Sequence, residues 1–125
     1  MAVALPEGSL EERLERYLEG FRSRHGLEEA RVEGNTVVLG VDPGSVPAVL
    51  STARQSLGIL HLSFITVVDR QGSFELTYEL LDMRGARVRV KTVLQGEESV
   101  IDTVTGIYPT ANWHEREAYD MFGVA

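Results

Sequence analysis

The side chains that could do chemistry are concentrated near the end of the chain, in the stretch from Ala111 to Gly123. This stretch holds the chain's only Trp together with three carboxylates, an Arg and a His. Paired carboxylates are what an acid–base mechanism in a hydrolase requires. His114 and Glu117 lie three positions apart, a spacing that lets two helical side chains reach one metal ion. Hydrolysis and metal binding are therefore the two chemistries to weigh.

Structural roles account for the same carboxylates more simply. Asn112 is a favourable helix N-cap, and Glu115, three residues later, can bond back to the cap. Asp120 lies four positions after Arg116 and can form an ion pair with it on the helix surface. A zinc or iron site needs about three protein ligands, and no second His follows at a helical spacing. We therefore expect no catalytic, cofactor-binding or metal-binding residue in this chain.

The terminal stretch is predicted to be a short amphipathic helix that ends near Gly123. A helix of roughly ten residues is marginal alone in water, so it must be held by packing. Trp, Tyr and Arg are the residue types that anchor protein interfaces, which favours contact with a partner. The alternative is that Trp113 and Phe122 close the domain's own core. Both hold if one side of the helix packs inward and the other meets a neighbour.

The string Asn-Trp-His-Glu-Arg-Glu-Ala-Tyr-Asp-Met-Phe-Gly-Val, residues 112–124, resembles the conserved segment of the 30 kDa subunit family of respiratory complex I, the NADH:quinone oxidoreductase. It also resembles the related subunit of membrane-bound energy-converting hydrogenases. Weaker similarity extends back through residues 67–69, 78–81 and 88–93. The resemblance implies a subunit that packs against the large subunit housing the quinone site, or the nickel–iron site in the hydrogenases. The residues that match the motif, and that would position this contact, are Trp113, Glu115, Arg116, Glu117, Tyr119, Asp120, Phe122 and Gly123.

The same resemblance implies cofactors and a location for the assembly. The complex would use iron–sulfur clusters and a quinone or nickel–iron site, none of them bound by this chain, and would include other peripheral-arm subunits. The chain would lie on the cytoplasmic side of the cell membrane and reach the membrane only through the complex. Members of the complex I family continue past the motif into a segment containing Gly-His-Pro, whereas this chain stops two residues after Gly123. The sequence is consistent with a naturally shortened member of the family and with a truncated chain. It is also consistent with membership of either complex I or an energy-converting hydrogenase.

Two functions of other classes stay open. A freestanding carboxylate hydrolase would turn over substrate by itself and lose activity on Glu117→Gln. A self-associating structural domain would form a homodimer that survives dilution.

Composition limits the possible partners. The chain has 125 residues, enough for one domain spanning residues 1–125, and its formal charge of −7 comes from nineteen acidic and twelve scattered basic residues. This charge disfavours unassisted binding to nucleic acid. Without Cys the chain has no thiolate for a disulfide, a zinc site or an iron–sulfur cluster. Its apolar runs are only a few residues long, and we expect neither a leader nor a membrane span.

The first predicted element is a helix that begins at a capping box, Ser9 to Glu12, and stops at His25-Gly26. We expect its Glu and Arg residues, Arg13 among them, to form a solvated face. His25 is expected to be a cation favoured by the helix dipole. The apolar residues, which recur at spacings of three and four, are Leu10, Leu14, Tyr17, Leu18 and Phe21.

The middle of the chain predicts a hairpin, a second helix and a strand. Gly34-Asn35 separates two strand-like runs and is typical of a hairpin turn. Asp42-Pro43 caps and starts a helix that ends at Gly58. Its predicted buried stripe is Val46, Val49, Leu50, Ala53 and Leu57. Residues 59–68 form a strongly apolar run that is long enough to be a central strand.

Two further strands alternate apolar and polar residues, over 73–80 and 87–91. If the turn at Arg84-Gly85 joins them, Glu79 lies near Arg89 and the polar face becomes a ladder of opposite charges. One face of the sheet would then pack on helices, and the other would be wetted or covered by a partner. The predicted fold class is α+β: two layers, with a helix, two strands, a helix, three strands in a mixed sheet, and a C-terminal helical segment.

Overall fold

The computed structural model describes residues 9–69 and 71–95, so the predicted terminal helix lies outside the described residues. Within them, the elements are α1 (Leu10–Arg22), β1 (Glu29–Glu33), β2 (Thr36–Gly40), α2 (Val46–Ser51), β3 (His61–Asp69), β4 (Ser73–Leu81) and β5 (Arg87–Gln95). The predicted α+β class and the predicted order of elements are confirmed for this part of the chain.

The first helix, α1, begins where the capping box predicts. The Ser9 hydroxyl accepts a hydrogen bond from the backbone N–H of Glu12 at 3.1 Å, which satisfies one of the unpaired N–H groups at the helix start. The predicted solvated face is wrong at one position, because Arg13 is buried while the neighbouring Glu residues are exposed. The inward side of the helix carries Leu14, Tyr17, Leu18 and Phe21.

The segment around α2 is helical but is not one regular helix. Its start is a single 3-10 turn, Pro43–Ser45, in which the Asp42 carboxylate accepts from the N–H of Gly44. A π-helical turn, Thr52–Ser56, follows α2 and replaces the single continuous helix that the sequence predicts. Gly58, at φ +71°, ends the segment as predicted, in a conformation that favours glycine. Four of the five predicted stripe residues, Val46, Val49, Leu50 and Ala53, are buried, and Leu57 is half-buried.

The described strands form a five-stranded sheet in the order β1-β2-β5-β4-β3. The predicted hairpin is confirmed, since β1 pairs antiparallel with β2 across Gly34-Asn35. β5 pairs parallel with β2 and antiparallel with β4, so it occupies the centre of the sheet. The prediction that the apolar run of residues 59–68 is central is wrong for the described part of the chain, because among the strands there β3 pairs with β4 alone and lies at the edge. Ile59 precedes the strand and is buried in the core.

In the described part of the chain, a hydrophobic core lies between the helices and one face of the sheet. Gly20 permits the close approach of α1 to the end of the α2 segment, since a Cβ there would lie 2.8 Å from the Leu57 side chain. The strand residues in this core are Val37, Leu39, Leu62, Leu76, Tyr78, Leu80, Val88, Val90 and Leu94. Of the helices in the described ranges, none is long and apolar enough to cross a membrane.

Candidate partner interface

The residues predicted to bind a partner are not among those whose structure is described. Trp113, Glu115, Arg116, Glu117, Tyr119, Asp120, Phe122 and Gly123 all follow residue 95. Their role in binding a partner therefore stays a prediction. A candidate interface among the described residues has to be sought on the sheet itself.

The face of the sheet turned away from the core carries a second set of side chains. Because successive strand residues point to opposite faces, the residues that alternate with the core positions meet here. An open groove of about 340 Å³ runs across this face, which we call the open face. The groove is lined by Arg31, Val38, Phe64, Thr66, Glu75, Thr77, Glu79, Arg89 and Lys91.

A buried carboxylate between two arginines lies at the centre of the open face. Glu79 on β4 stands directly opposite Arg89 on β5, as the sequence predicts. Arg89 Nε lies 3.0 Å from Glu79 Oε2, and Arg87 Nη1 lies 3.6 Å from Glu79 Oε1. The Glu79 side chain is 1% exposed, whereas those of Arg87 and Arg89 are 48% and 41% exposed. The hydrogen bond to Glu79 raises the pKa of Arg89, which keeps the guanidinium charged.

The groove is also lined by the charged residues Arg31, Lys91 and Glu75, and the two cations have carboxylates of β1 beside them. Arg31 on β1 forms ion pairs with both Glu29 and Glu33. Lys91 lies 3.8 Å from Glu29. Within the described residues, the Arg87–Glu79–Arg89 group has two guanidinium ions for one carboxylate. We call these three residues the open cluster, and the charge of Glu33 also acts on its Arg89.

A second carboxylate lies on the helix side, at the turn between β4 and β5. The Asp82 Oδ2 atom accepts hydrogen bonds from Arg13 Nε at 3.1 Å and from the Tyr17 hydroxyl at 3.0 Å. Its Oδ1 atom accepts from the backbone N–H groups of Arg84, at 2.8 Å, and Ala86, at 3.1 Å. The side chains of Arg13 and Asp82 are 4% and 1% exposed. This group of Arg13, Tyr17 and Asp82, which we call the closed cluster, ties α1 to the β4–β5 turn.

The closed cluster also changes how Tyr17 titrates. Burial, and then the negative charge of Asp82, raise the pKa of Tyr17 to about 12, because both disfavour the phenolate. The role of Asp82 is not among the predictions from sequence, since this residue lies 69 positions from its partner Arg13. A local signal was present, because an Asp three positions before Gly85 is typical of a turn closed by its own side chain.

The expectation of a cationic His25 at the end of α1 is wrong. Its Nε2 atom lies 2.8 Å from the Thr52 hydroxyl, so the ring joins α1 to the α2 segment. Burial, and then the neighbouring charge of Arg24, lower the pKa of His25, which disfavours the cationic ring. Among residues 9–69 and 71–95, no three His, Cys, Asp or Glu side chains are grouped so that they could hold a metal ion.

Comparison with known proteins identifies the family. Residues 39–125 match the model of the family described as respiratory-chain NADH dehydrogenase, 30 Kd subunit. The chain belongs to this family. One relative, an NADH-quinone oxidoreductase subunit from Azorhizobium caulinodans, is 54% identical over 56 residues, which are 44% of this chain and 26% of that protein. Another NADH-quinone oxidoreductase subunit, from Chelativorans sp., is 35% identical over 104 residues, 78% of this chain and 52% of that one. The chain thus spans at most about half of these two relatives.

Two solved structures share the fold. The trypsin-resistant fragment (1-134) of Nqo5 superposes with a TM-score of 0.74 at 28% identity, covering 89% of this chain and 92% of that one. A chain of the membrane-bound sulfane sulfur reductase, an archaeal respiratory membrane complex, gives a TM-score of 0.78 at 28% identity. That match covers 92% of this chain and 68% of the other.

Proposed function

We propose that the chain is a non-catalytic subunit of a complex I-like NADH-quinone oxidoreductase. The observation that carries this proposal is the family match over residues 39–125, since the relatives found by sequence are named as subunits of that enzyme. The proposed role is to pack against the large quinone-site subunit and other peripheral-arm subunits, in support of electron transfer and ion translocation. The chain would do so on the cytoplasmic side of the membrane, attached only through the complex.

In the proposed complex, the redox groups are bound by other subunits. Iron–sulfur clusters in the assembled complex would supply one-electron transfer, and they are held by Cys thiolates. This chain has no Cys and cannot provide those ligands. Its own residues would bind and orient a neighbour. The terminal residues proposed for this contact are Trp113, Glu115, Arg116, Glu117, Tyr119, Asp120, Phe122 and Gly123.

A second candidate is the equivalent subunit of an energy-converting complex of another type, such as a nickel–iron hydrogenase. The observation in its favour is the match to a chain of an archaeal respiratory membrane complex that is named a sulfane sulfur reductase. The two candidates differ in the partner's electron donor and acceptor. They agree on a cofactor-free subunit in a membrane-attached redox assembly.

The test is to purify the tagged full chain from the cells that make it and to identify what accompanies it. We expect a large subunit with quinone-site chemistry, together with electron paramagnetic resonance signals from iron–sulfur clusters. A nickel signal instead would favour the second candidate. Recovery of the chain alone, at low salt and in mild detergent, would contradict both.

The terminal contact is tested in the same purification with Arg116→Ala. Loss of one partner from a desolvated charge pair costs about 2–5 kcal/mol, whereas an exposed pair within the free chain contributes about 0–1 kcal/mol. We therefore expect weaker assembly with the melting temperature of the free chain unchanged. Arg22→Ala, at the exposed end of α1, is the matched control and should assemble normally. A large fall in melting temperature for Arg116→Ala would show a role within the chain's own fold.

A further inference from the structure

The central strand of the open face carries a row of positive charge. Arg87, Arg89 and Lys91 occupy three consecutive outward positions on β5. This row stands on a chain whose formal charge is −7. Lys91 and Arg31 have nearby carboxylates on β1, whereas Arg87 and Arg89 share the carboxylate of Glu79, and the charge of Glu33 also acts on Arg89.

The buried Glu79 carboxylate holds the two guanidinium groups in place. It does not bind all of their N–H donors. A guanidinium has five N–H donors. In the described part of the chain, Arg89 gives Nε and Nη2 to Glu79, and Arg87 approaches it only at 3.6 Å. Since both arginines are almost half exposed, their side chains reach solvent on the open face. A positioned guanidinium loses less side-chain entropy on binding than a mobile one.

An apolar anchor lies beside the charged group. Phe64 on β3 stands opposite Glu79 on the other side from Arg89, so the order across the sheet is arginine, buried acid, aromatic ring. The Phe64 ring is exposed. A ligand that covers it would exclude water from the guanidinium groups and strengthen a charge pair there.

We propose that the open cluster binds a carboxylate side chain of a neighbouring subunit, beside an apolar side chain that packs on Phe64. This inference rests on the proposed function, which supplies the neighbouring subunit. A carboxylate fits because the guanidinium fork matches its two oxygens and the two guanidinium groups of the cluster share a single buried carboxylate. Nucleic-acid phosphate is disfavoured by the charge of −7 on the whole chain.

The experiment uses the tagged full chain, purified from its own cells with washes of increasing NaCl. Arg87→Gln removes one positive charge from the open cluster but leaves Glu79 bonded to Arg89, so the fold should be retained. We expect it to bind the other subunits at least about tenfold more weakly than the wild type, with a shallower dependence on NaCl. Arg87→Lys keeps the positive charge and should weaken binding less than Arg87→Gln does. The control, Arg22→Gln, removes one charge from α1 and should leave binding unchanged.

The outcomes separate this inference from the proposed function. If the wild-type chain brings down no other subunit, the proposed function is wrong and this inference falls with it. If the wild type assembles and Arg87→Gln assembles equally well, only this inference is overturned. It is also overturned if Arg87→Gln lowers the free energy of unfolding of the free chain by as much as it lowers the free energy of binding, since the cluster then has a structural role. Release of the partners by nuclease at low salt would overturn it in favour of nucleic acid.

Discussion

Among the residues that the structure describes, two carboxylates, three positions apart, are each bound by arginine and are each nearly removed from solvent. Asp82 lies on the helix side of the sheet and Glu79 on the open face, and both side chains are 1% exposed. They differ in what surrounds them. The arginine of the closed cluster is itself buried, whereas both arginines of the open cluster are about half exposed.

Because their surroundings differ, the two arginine–carboxylate clusters are expected to have different roles. Asp82 receives donors from α1 and from its own turn, and all of them lie within the domain. Removing one partner of such a buried group deprives the others of a hydrogen bond in a region of low dielectric. Glu79 is satisfied by side chains that still reach solvent. We therefore expect the closed cluster to determine stability and the open cluster to determine association.

The largest effect is expected for Asp82→Ala. The substitution leaves Arg13 as a buried charge without this carboxylate and removes the acceptor of two turn N–H groups, at a cost of about 3–5 kcal/mol. Urea unfolding of the free chain measures this. Asp69→Ala is the matched control, because Asp69 also accepts a turn N–H, that of Gln71, but at an exposed site. Equal, small effects of the two substitutions would remove the distinction between the clusters.

An intermediate effect is expected for Glu79→Gln. The amide can still accept from Arg89 but has no charge, and a hydrogen bond to a charged group contributes about 1.5–3 kcal/mol. The exposed ends of both arginines can then be hydrated, which limits the loss. Urea unfolding should therefore show a smaller change than for Asp82→Ala. A larger change than for Asp82→Ala would reverse the ranking.

Tyr17→Phe tests whether the stability of the closed cluster depends on pH. At pH 7 it removes one neutral donor to Asp82, at a cost of about 1 kcal/mol. Because the pKa of folded Tyr17 is raised to about 12 from its ordinary value of 10.0, the contribution is fully present below pH 10 and is lost as pH rises towards 12. Urea unfolding at pH 9 and 11 should show a steeper loss for the wild type than for the variant. Parallel losses would show that Tyr17 titrates normally.

The smallest effect on stability is expected for Arg87→Gln. Its ion pair with Glu79 is 3.6 Å long and its side chain is 48% exposed, so it should contribute less than about 1 kcal/mol. The urea midpoint of the free chain should be nearly unchanged. A loss comparable to that of Glu79→Gln would mean that Glu79 depends on both arginines for its burial.

Local patterns predict much of this fold. The cap at Ser9, the hairpin at Gly34-Asn35 and the pairing of Glu79 with Arg89 all follow from short-range spacing and are confirmed. The position of β3 at the edge of the described strands could not be predicted, because it depends on the parallel pairing of β2 with β5 across the intervening chain.

The two clusters also show that contacts close in sequence can be predicted from local patterns and distant ones cannot. Glu79 and Arg89 belong to adjacent strands of one hairpin, so alternation predicts their contact. The contact between Arg13 and Asp82 joins segments 69 positions apart and needs the helix packed on the sheet. Helical periodicity alone therefore puts Arg13 on the solvated face, which is wrong. The partner-binding motif, led by Trp113 and Glu115, remains a prediction because it follows residue 95.

The most direct test of the account is whether the open face is covered by another subunit in the assembled complex. A photo-crosslinking amino acid is placed at Thr66, which lines the groove, or at Glu15, which is exposed on α1. After irradiation of the complex, we predict a covalent product between the Thr66 variant and a neighbouring subunit, reduced when Arg87→Gln is also present. Crosslinks from Glu15 and none from Thr66 would contradict the account.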